Sequence, residues 1–358
     1  MIHSWPTLII VMLTYAGIAI GHWPGLKANR ATIVLMGVGL LIATRQVDFA
    51  RVSALIDMDT IVLLFSMMII NANLRIAGFF HLVGDALLRL TRTPRALLVG
   101  LLSALFLNDT ICLMFTPLVV MLTTRAGRQP TPYLIALATA ANIGSAATLT
   151  GNPQNMIIGV ASGIPYLRFV LALAPVALLG LGVVWGVLVL LYSREFAAAH
   201  LPLLPPSAAA PLRPLLTKSS LVVAGLLIAF LMGVPVAMAA FLAACVLLFT
   251  RRVRPPEVFA EFDWGLLVFF CGLFVVSGVL ETNGLTGRLF DLLHLDGKTS
   301  VWGLSVVSTV LSNLVSNVPA VLLLKPVVAA LANPVAGWLT LAASSTLAGN
   351  LTLLGSVA

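Results

Sequence analysis

Asn108, Asp109 and Thr110 stand together inside an apolar run, LFLNDTICLMFTPLVV, over residues 105–120. A carboxylate placed in hydrocarbon is expensive, and intramembrane carboxylates serve as cation ligands or proton carriers. The rival role for Asp109 is a helix cap, for an arm that would begin at Thr110 or Ile111. A second polar set, NIGSAATLTGNPQN over 142–155, gathers Thr148, Gly151, Asn152 and Asn155 around a Gly/Pro break. Breaking a helix frees carbonyls that can ligate a cation, and it exposes N–H groups at a half-helix start that attract an anion. Ser316 and Asn317 interrupt another apolar run, and Asn350, Thr352, Gly355 and Ser356 make a fourth polar set. Hard cations such as Na⁺ take oxygen ligands of these kinds. The expected solute-binding residues are Asn108, Thr110, Asn152, Asn155, Ser316 and Asn317. The expected ion or proton coupling residues are Asp109, Asn108, Gly151, Thr148, Ser316, Asn350 and Gly355, with no metal beyond Na⁺.

Composition says what must hold these sets. The 358 residues are 60% hydrophobic and 9% charged, with a mean hydropathy of +1.09. Soluble domains carry about 25% charged residues, so this is an all-α polytopic membrane protein. The net charge of +8 comes from Lys and Arg between apolar runs, which is membrane-flanking charge and not a nucleic-acid face. Cys112, Cys245 and Cys271 are scattered singly, which excludes a disulfide framework and a zinc site. No H-E-x-x-H, G-x-S-x-G or P-loop lysine is present, so an enzyme is not expected.

Candidate spans fall at 5–21, 31–44, 60–76, 132–149, 167–192, 219–233, 236–250 and 263–281. Regions 95–124 and 303–332 are apolar runs with polar centres. Each reads as a re-entrant helical hairpin, against the alternative of one continuous helix with a polar residue facing the bundle. Segments 77–93 and 284–298 mix apolar and charged residues at helical spacing and read as interfacial helices leading into the hairpins. Non-helical backbone at membrane depth survives only where it lines a cavity or is buried in protein.

The two halves of the chain repeat. Setting Asn108 on Asn317 sets Pro117 on Pro326, an offset of 209, and puts Val318 opposite Asp109. Setting Gly151 on Gly355 gives an offset of 204, and Asp59 falls on Asp263 at the same offset. The expected organisation is a half over 1–192, with a hairpin at 95–124 and a broken helix at 132–164. A cytoplasmic Pro-rich linker at 193–218 follows, then a half over 219–358 with a hairpin at 303–332 and a broken helix from 337. Placing the linker inside puts 14 of the 20 Lys and Arg on that side, which obeys the positive-inside rule and makes the repeats inverted. The second half ends at Ala358, about 35–40 residues short of the first, which reads as a fragment or a truncated gene model, with a naturally shorter second half as the alternative.

Weaker signals have plainer readings. Asn71, Asn73 and Arg75 end a span, with Glu281 ending its repeat partner; helix-end pairing or snorkelling is the favoured account, and lining the pathway is the alternative. Lys325 either attracts an anion or reaches the interface. Cys112 is core packing before it is a ligand for trivalent arsenic. His81 and His294 are read as solvated.

The stretches NDTICLMFTPLVV (108–120), NIGSAATLTGNPQN (142–155), SNLVSNVPAVLLL (312–324) and LAASSTLAGNLTLLGS (341–356) resemble the ion transporter superfamily. That superfamily includes divalent anion–sodium symporters, citrate transporters, arsenite permeases and one class of sodium–proton antiporters. In the symporters both tips carry Ser-Asn-Thr, which bind sodium and substrate carboxylates. Here the tips are Asn108-Asp109-Thr110 and Ser316-Asn317-Val318, closer to the arsenite permease and citrate transporter branches. The resemblance implies elevator-type alternating access and a homodimer. The expected function is secondary active transport of a small anion, a di- or tricarboxylate or an inorganic oxyanion, coupled to Na⁺ or H⁺. The partners are the solute, the coupling ion and the lipid bilayer of a bacterial inner membrane. Sodium/proton antiport and arsenite efflux are the alternatives.

Overall fold

The computed structural model describes residues 4–21, 28–83, 108–125, 128–193, 211–285, 287 and 300–351. Among them the regular structure is helical, with no strand. The helices are α1 (Ser4–Ile20), α2 (Arg30–Ala43), α3 (Phe49–Leu55), α4 (Met58–Ile76), α5 (Asn108–Arg125), α6 (Pro130–Ser145), α7 (Pro153–Ser162) and α8 (Tyr166–Leu191). After them come α9 (Arg213–Leu231), α10 (Val236–Leu248), α11 (Pro255–Ala260), α12 (Trp264–Thr282), α13 (Val301–Val315), α14 (Asn317–Ala329) and α15 (Pro334–Ala348). α4, α8, α9 and α12 are long and apolar enough to cross a membrane. α8 keeps Leu171, Leu179, Leu190 and Leu191 exposed, as a lipid-facing helix does. The chain is an all-α polytopic membrane protein.

Short polar caps set many of the helix starts. Asn29 accepts from the Thr32 amide at 2.9 Å, Asp48 from Ala50 at 3.2 Å, Ser300 from Gly303 at 3.1 Å and Asn333 from Ala336 at 3.1 Å. α9 begins at Arg213, inside the stretch expected to be linker, because Pro214 sits in a first turn where its missing N–H costs nothing. α15 likewise begins at Pro334, before the expected residue 337. Linker residues 194–210 lie outside the described residues. So do the incoming arm of the first hairpin up to 107, most of the two interfacial segments, His294, Thr352, Gly355 and Ser356. Helical backbone is present at 79–83, the start of the first of those segments.

Helix bounds correspond between the halves more tightly than the sequence suggests. α4 and α12 are offset by 206 at both ends (58 to 264, 76 to 282), and Gly78 and Gly284 follow them, both at positive φ. Only glycine enters that conformation at no steric cost. The starts of α2 and α10 (30 to 236) and of α3 and α11 (49 to 255) share this offset. The Asp59–Asp263 match at 204 is therefore out of register. The residue equivalent to Asp263 is Asp57: each accepts from the backbone amide three residues on, Thr60 at 3.1 Å and Leu266 at 3.0 Å. At the hairpin offset of 209, α5 and α14 each carry an internal proline, Pro117 and Pro326. α6 and α15 start 204 apart, at Pro130 and Pro334.

Two compact units form, and each draws on both repeats. The first comprises residues 1–64, 160–163 and 263–357. Within it α1, α2 and α12 pack together, α3 lies on α12, and α13, α14 and α15 pack mutually. Val34 sits against Gly272 and Leu55 against Gly278, close approaches that leave no room for a side chain. The second comprises residues 65–159 and 164–262. There α6 packs on α5 and α8, and α9 packs on α8 and α10. Arg75 and Glu261 form an ion pair at 2.8 Å, and Phe65 meets Phe262 edge to face. Each unit thus joins the opening helices of one repeat to the hairpin helix of the other.

Candidate functional site

The first break lies between α6 and α7, over residues 146–152, where Gly151 and Pro153 forbid a continuous helix. It is buried throughout, including Thr148, Thr150 and Asn152. The loop doubles back so tightly that a Cβ on Gly151 would overlap the carbonyl of Ser145. Asn155, in the first turn of α7, reaches back across this fold. Its Nδ2 donates to the carbonyls of Ser145 (3.2 Å), Ala146 (3.3 Å) and Thr148 (2.9 Å). Asn152 caps α7, accepting at Oδ1 from the Asn155 amide (2.8 Å) while Nδ2 donates to Ser145 Oγ (3.0 Å). The hydroxyl of Tyr166 is hydrogen-bonded to the side chains of Thr148 and Thr150.

These bonds change the chemistry expected of the break. Three of the carbonyls that breaking the helix was expected to free for a cation already face an amide nitrogen. Asn152 uses both ends of its side chain on the protein, and Thr148 is engaged by Tyr166. Asn155 Oδ1 remains, buried and without a hydrogen-bond partner among the described residues. The break is a braced loop that presents an acceptor oxygen.

The second break is the tip between α13 and α14. The arms have 15 and 13 residues, about 22 and 20 Å at ~1.5 Å per residue. They pack on one another, which is the hairpin and not the continuous helix. Ser316 joins them at φ +79°, ψ 160°, a region that side-chain-bearing residues rarely enter. Ser316 Oγ and Asn317 Oδ1 are buried and unpartnered, as are Ser312 Oγ, one turn before the tip, and Ser345 Oγ on α15. Alongside, Ser308 bonds Ser344, and Asn313 Nδ2 donates to the Ala348 carbonyl at 3.2 Å. Ser308, Ser344 and Asn313 are thus paired, whereas oxygens of Ser312, Ser316, Asn317 and Ser345 are left open. Asn350 lies in the turn that follows α15.

Such strain costs about 1–3 kcal/mol, and a glycine at Ser316 releases it. The Ser316→Gly variant is expected to unfold a few degrees higher in detergent, by about 1 kcal/mol, and to transport less well for want of the hydroxyl. Thermal unfolding read beside uptake checks this. A lower unfolding midpoint would show that the hydroxyl holds the tip together.

Asn108, Asp109 and Thr110 have helical backbone in α5, and the residues before them lie outside the described ones. α5 has 18 residues, about 27 Å, longer than its counterpart α14. Lys325, eight residues past Asn317, lies 3.8 Å from Asp57, the residue that caps α4. Asp57 went unremarked in the sequence, although its place ahead of an apolar run is a cap signature. Asn71 and Asn73 are not at a solvated helix end: every residue from Ser66 to Leu74 is buried. Among the residues whose side chains are described, the buried polar groups are neutral amides and hydroxyls.

A family model described as citrate transporter matches residues 8–348. The chain is 31% identical over 410 aligned residues to the silicon efflux transporter LSI3 of Oryza sativa subsp. japonica, covering 94% of this chain and 84% of that one. It is 30% identical over 305 residues to the inner membrane protein YbiR of Escherichia coli (strain K12), covering 82% and 77%. A shorter match, 32% over 150 residues, joins 40% of the chain to the putative transporter arsB of Dictyostelium discoideum.

Proposed function

We propose that this chain, which belongs to the citrate transporter family, moves a small oxygen-rich anion across the bacterial inner membrane by coupling it to Na⁺ or H⁺. That the chain is a transporter and not an enzyme follows from its family. One observation carries the finer reading: at both breaks the buried atoms left without partners are acceptor-capable oxygens, Asn155 Oδ1, Ser316 Oγ and Asn317 Oδ1. Burying such an atom unpaired costs about 1–3 kcal/mol, a cost that a bound cation or a solute hydroxyl removes. The solute class is a di- or tricarboxylate or an inorganic oxyanion. Substrate contacts fall to Asn108, Thr110, Asn155, Ser316 and Asn317, with Asn152 bracing the break. Coupling falls to Asp109 with Gly151, Asn350 and Gly355. Helices ending at midplane breaks suit an elevator-type movement, and two copies would form the working unit.

A second reading is efflux of an undissociated oxyacid such as arsenous acid. It is favoured by the neutral amides and hydroxyls buried at the two breaks and by the relative whose name describes silicon efflux. Uptake into proteoliposomes under an imposed Na⁺ or H⁺ gradient separates the readings, with citrate, succinate, phosphate, sulfate and arsenite as solutes. Gradient-dependent accumulation of one anion is expected. Proton flux driven by Na⁺ with no solute moving would instead make the chain an antiporter.

A further inference from the structure

α4 carries an amide that the breaks do not account for. Asn71 is 5% exposed, and neither its Nδ2 nor its Oδ1 has a hydrogen-bond partner among the described residues. Asn73, two residues on, is fully buried and ties its Nδ2 to the Ile69 carbonyl at 2.9 Å, leaving only Oδ1 open. Around them Met67, Met68, Ile69, Ile70, Ala72 and Leu74 are buried, so the helix is enclosed on all its faces. A carboxamide sealed in such a place without partners is among the more costly features a membrane helix can carry.

The repeat shows that the fold can satisfy a polar group at this position. At the 206 offset that aligns α4 with α12, Asn71 corresponds to Ser277. Ser277 is hydrogen-bonded by the hydroxyl of Tyr15 on α1, at 2.9 Å. The equivalent of α1 in the second half is α9. The positive-φ glycines that follow these helices, Gly21 and Gly233, set their offset at 212, which puts Leu227 opposite Tyr15. One repeat has a serine with a tyrosine to hold it. The other has a larger amide, with two donors and an acceptor, and a leucine where the partner would come from.

We infer that Asn71 is a further solute-binding residue, whose carboxamide takes both the O–H group and an acceptor oxygen of a partly protonated oxyacid. This rests on the transport reading above. An amide open at both ends suits a ligand that offers a donor and an acceptor side by side, as a hydrogen-bearing oxyacid does. A fully ionised oxyanion such as sulfate offers acceptors only, and it engages the nitrogen alone. Asn71 then selects between solutes of similar size, since a site built around a hydroxyl rejects the analogue without one.

The test compares wild type, Asn71→Leu and Asn71→Ser in proteoliposomes, with phosphate, arsenite, citrate and sulfate as solutes and thermal unfolding measured alongside. Leucine keeps the branching and heavy-atom count of asparagine, with bulkier methyl groups, and removes only polar atoms that bond nothing in the protein, so its unfolding midpoint should stay close to wild type. For the O–H-bearing solute that wild type carries, Asn71→Leu should raise KM about tenfold, and serine should recover part of the loss. A KM within about twofold of wild type overturns the inference. So does a lowered midpoint with reduced Vmax and unchanged KM, which is the mark of a structural amide. Absence of any wild-type uptake overturns the transport reading itself, and this inference with it.

Discussion

Replacing Gly151 with alanine is expected to open the first break and abolish transport. The added Cβ would lie on the Ser145 carbonyl, 2.8 Å from the Ser145 Cα and 2.9 Å from its carbonyl carbon. These are backbone atoms, fixed by the end of α6, and no rotamer change moves them aside. The loop must therefore give way, and it carries the carbonyls that Asn155 braces. Overpacking at a rigid site costs about 1–3 kcal/mol. Gly159→Ala is the control, because its Cβ meets only the flexible side chain of Leu149, at 2.9 Å. Thermal unfolding of the two variants should differ clearly, with Gly159→Ala nearer wild type. Equal midpoints would mean that the loop at Gly151 is not held as described.

Asn155→Leu is expected to do comparable damage by a different route. Its amide nitrogen is the donor shared by the carbonyls of Ser145, Ala146 and Thr148, all of them buried. Leucine fills the volume and donates nothing. Leaving buried carbonyls unpaired costs about 1–3 kcal/mol each when no water replaces the donor. The expected loss is roughly 3 kcal/mol of stability, with faster hydrogen exchange at 146–155 and uptake reduced at least tenfold. Asn155→Asp should be no better, since a carboxylate turns an acceptor toward acceptors. Should Asn155→Leu keep wild-type stability and lose only solute affinity, the residue is a ligand and not a brace.

These predictions mark where sequence reasoning stopped. The apolar helices, the reversal at Ser316 and the break near Gly151 were legible, because apolar run length, Gly, Pro and Asn act through local backbone preferences. The repeat was legible too, yet its register in α4 was read from Asp59 when the capping residue is Asp57. Which of two nearby acids caps a helix depends on where the first N–H groups point, and residue type does not encode that. Asn152 and Asn155 were recognised as important, but their bonds run to Ser145 and its neighbours, seven to ten residues back. Only the folded loop reveals that their donors are already spent. Asn71 was read as a helix-end residue because Arg75 follows it. Its burial comes from other elements packed around α4, which no local pattern records.

The central claim is that a cation gradient drives solute movement through these breaks, with Asp109, on α5, as the coupling group. The direct measurement is solute accumulation in proteoliposomes holding wild type or Asp109→Asn, with and without an imposed Na⁺ or H⁺ gradient. Wild type should concentrate the solute only when the gradient is present. The variant should still exchange solute across the membrane while failing to concentrate it. If Asp109→Asn concentrates solute as wild type does, and with the same dependence on the gradient, coupling does not pass through Asp109 and the account is contradicted.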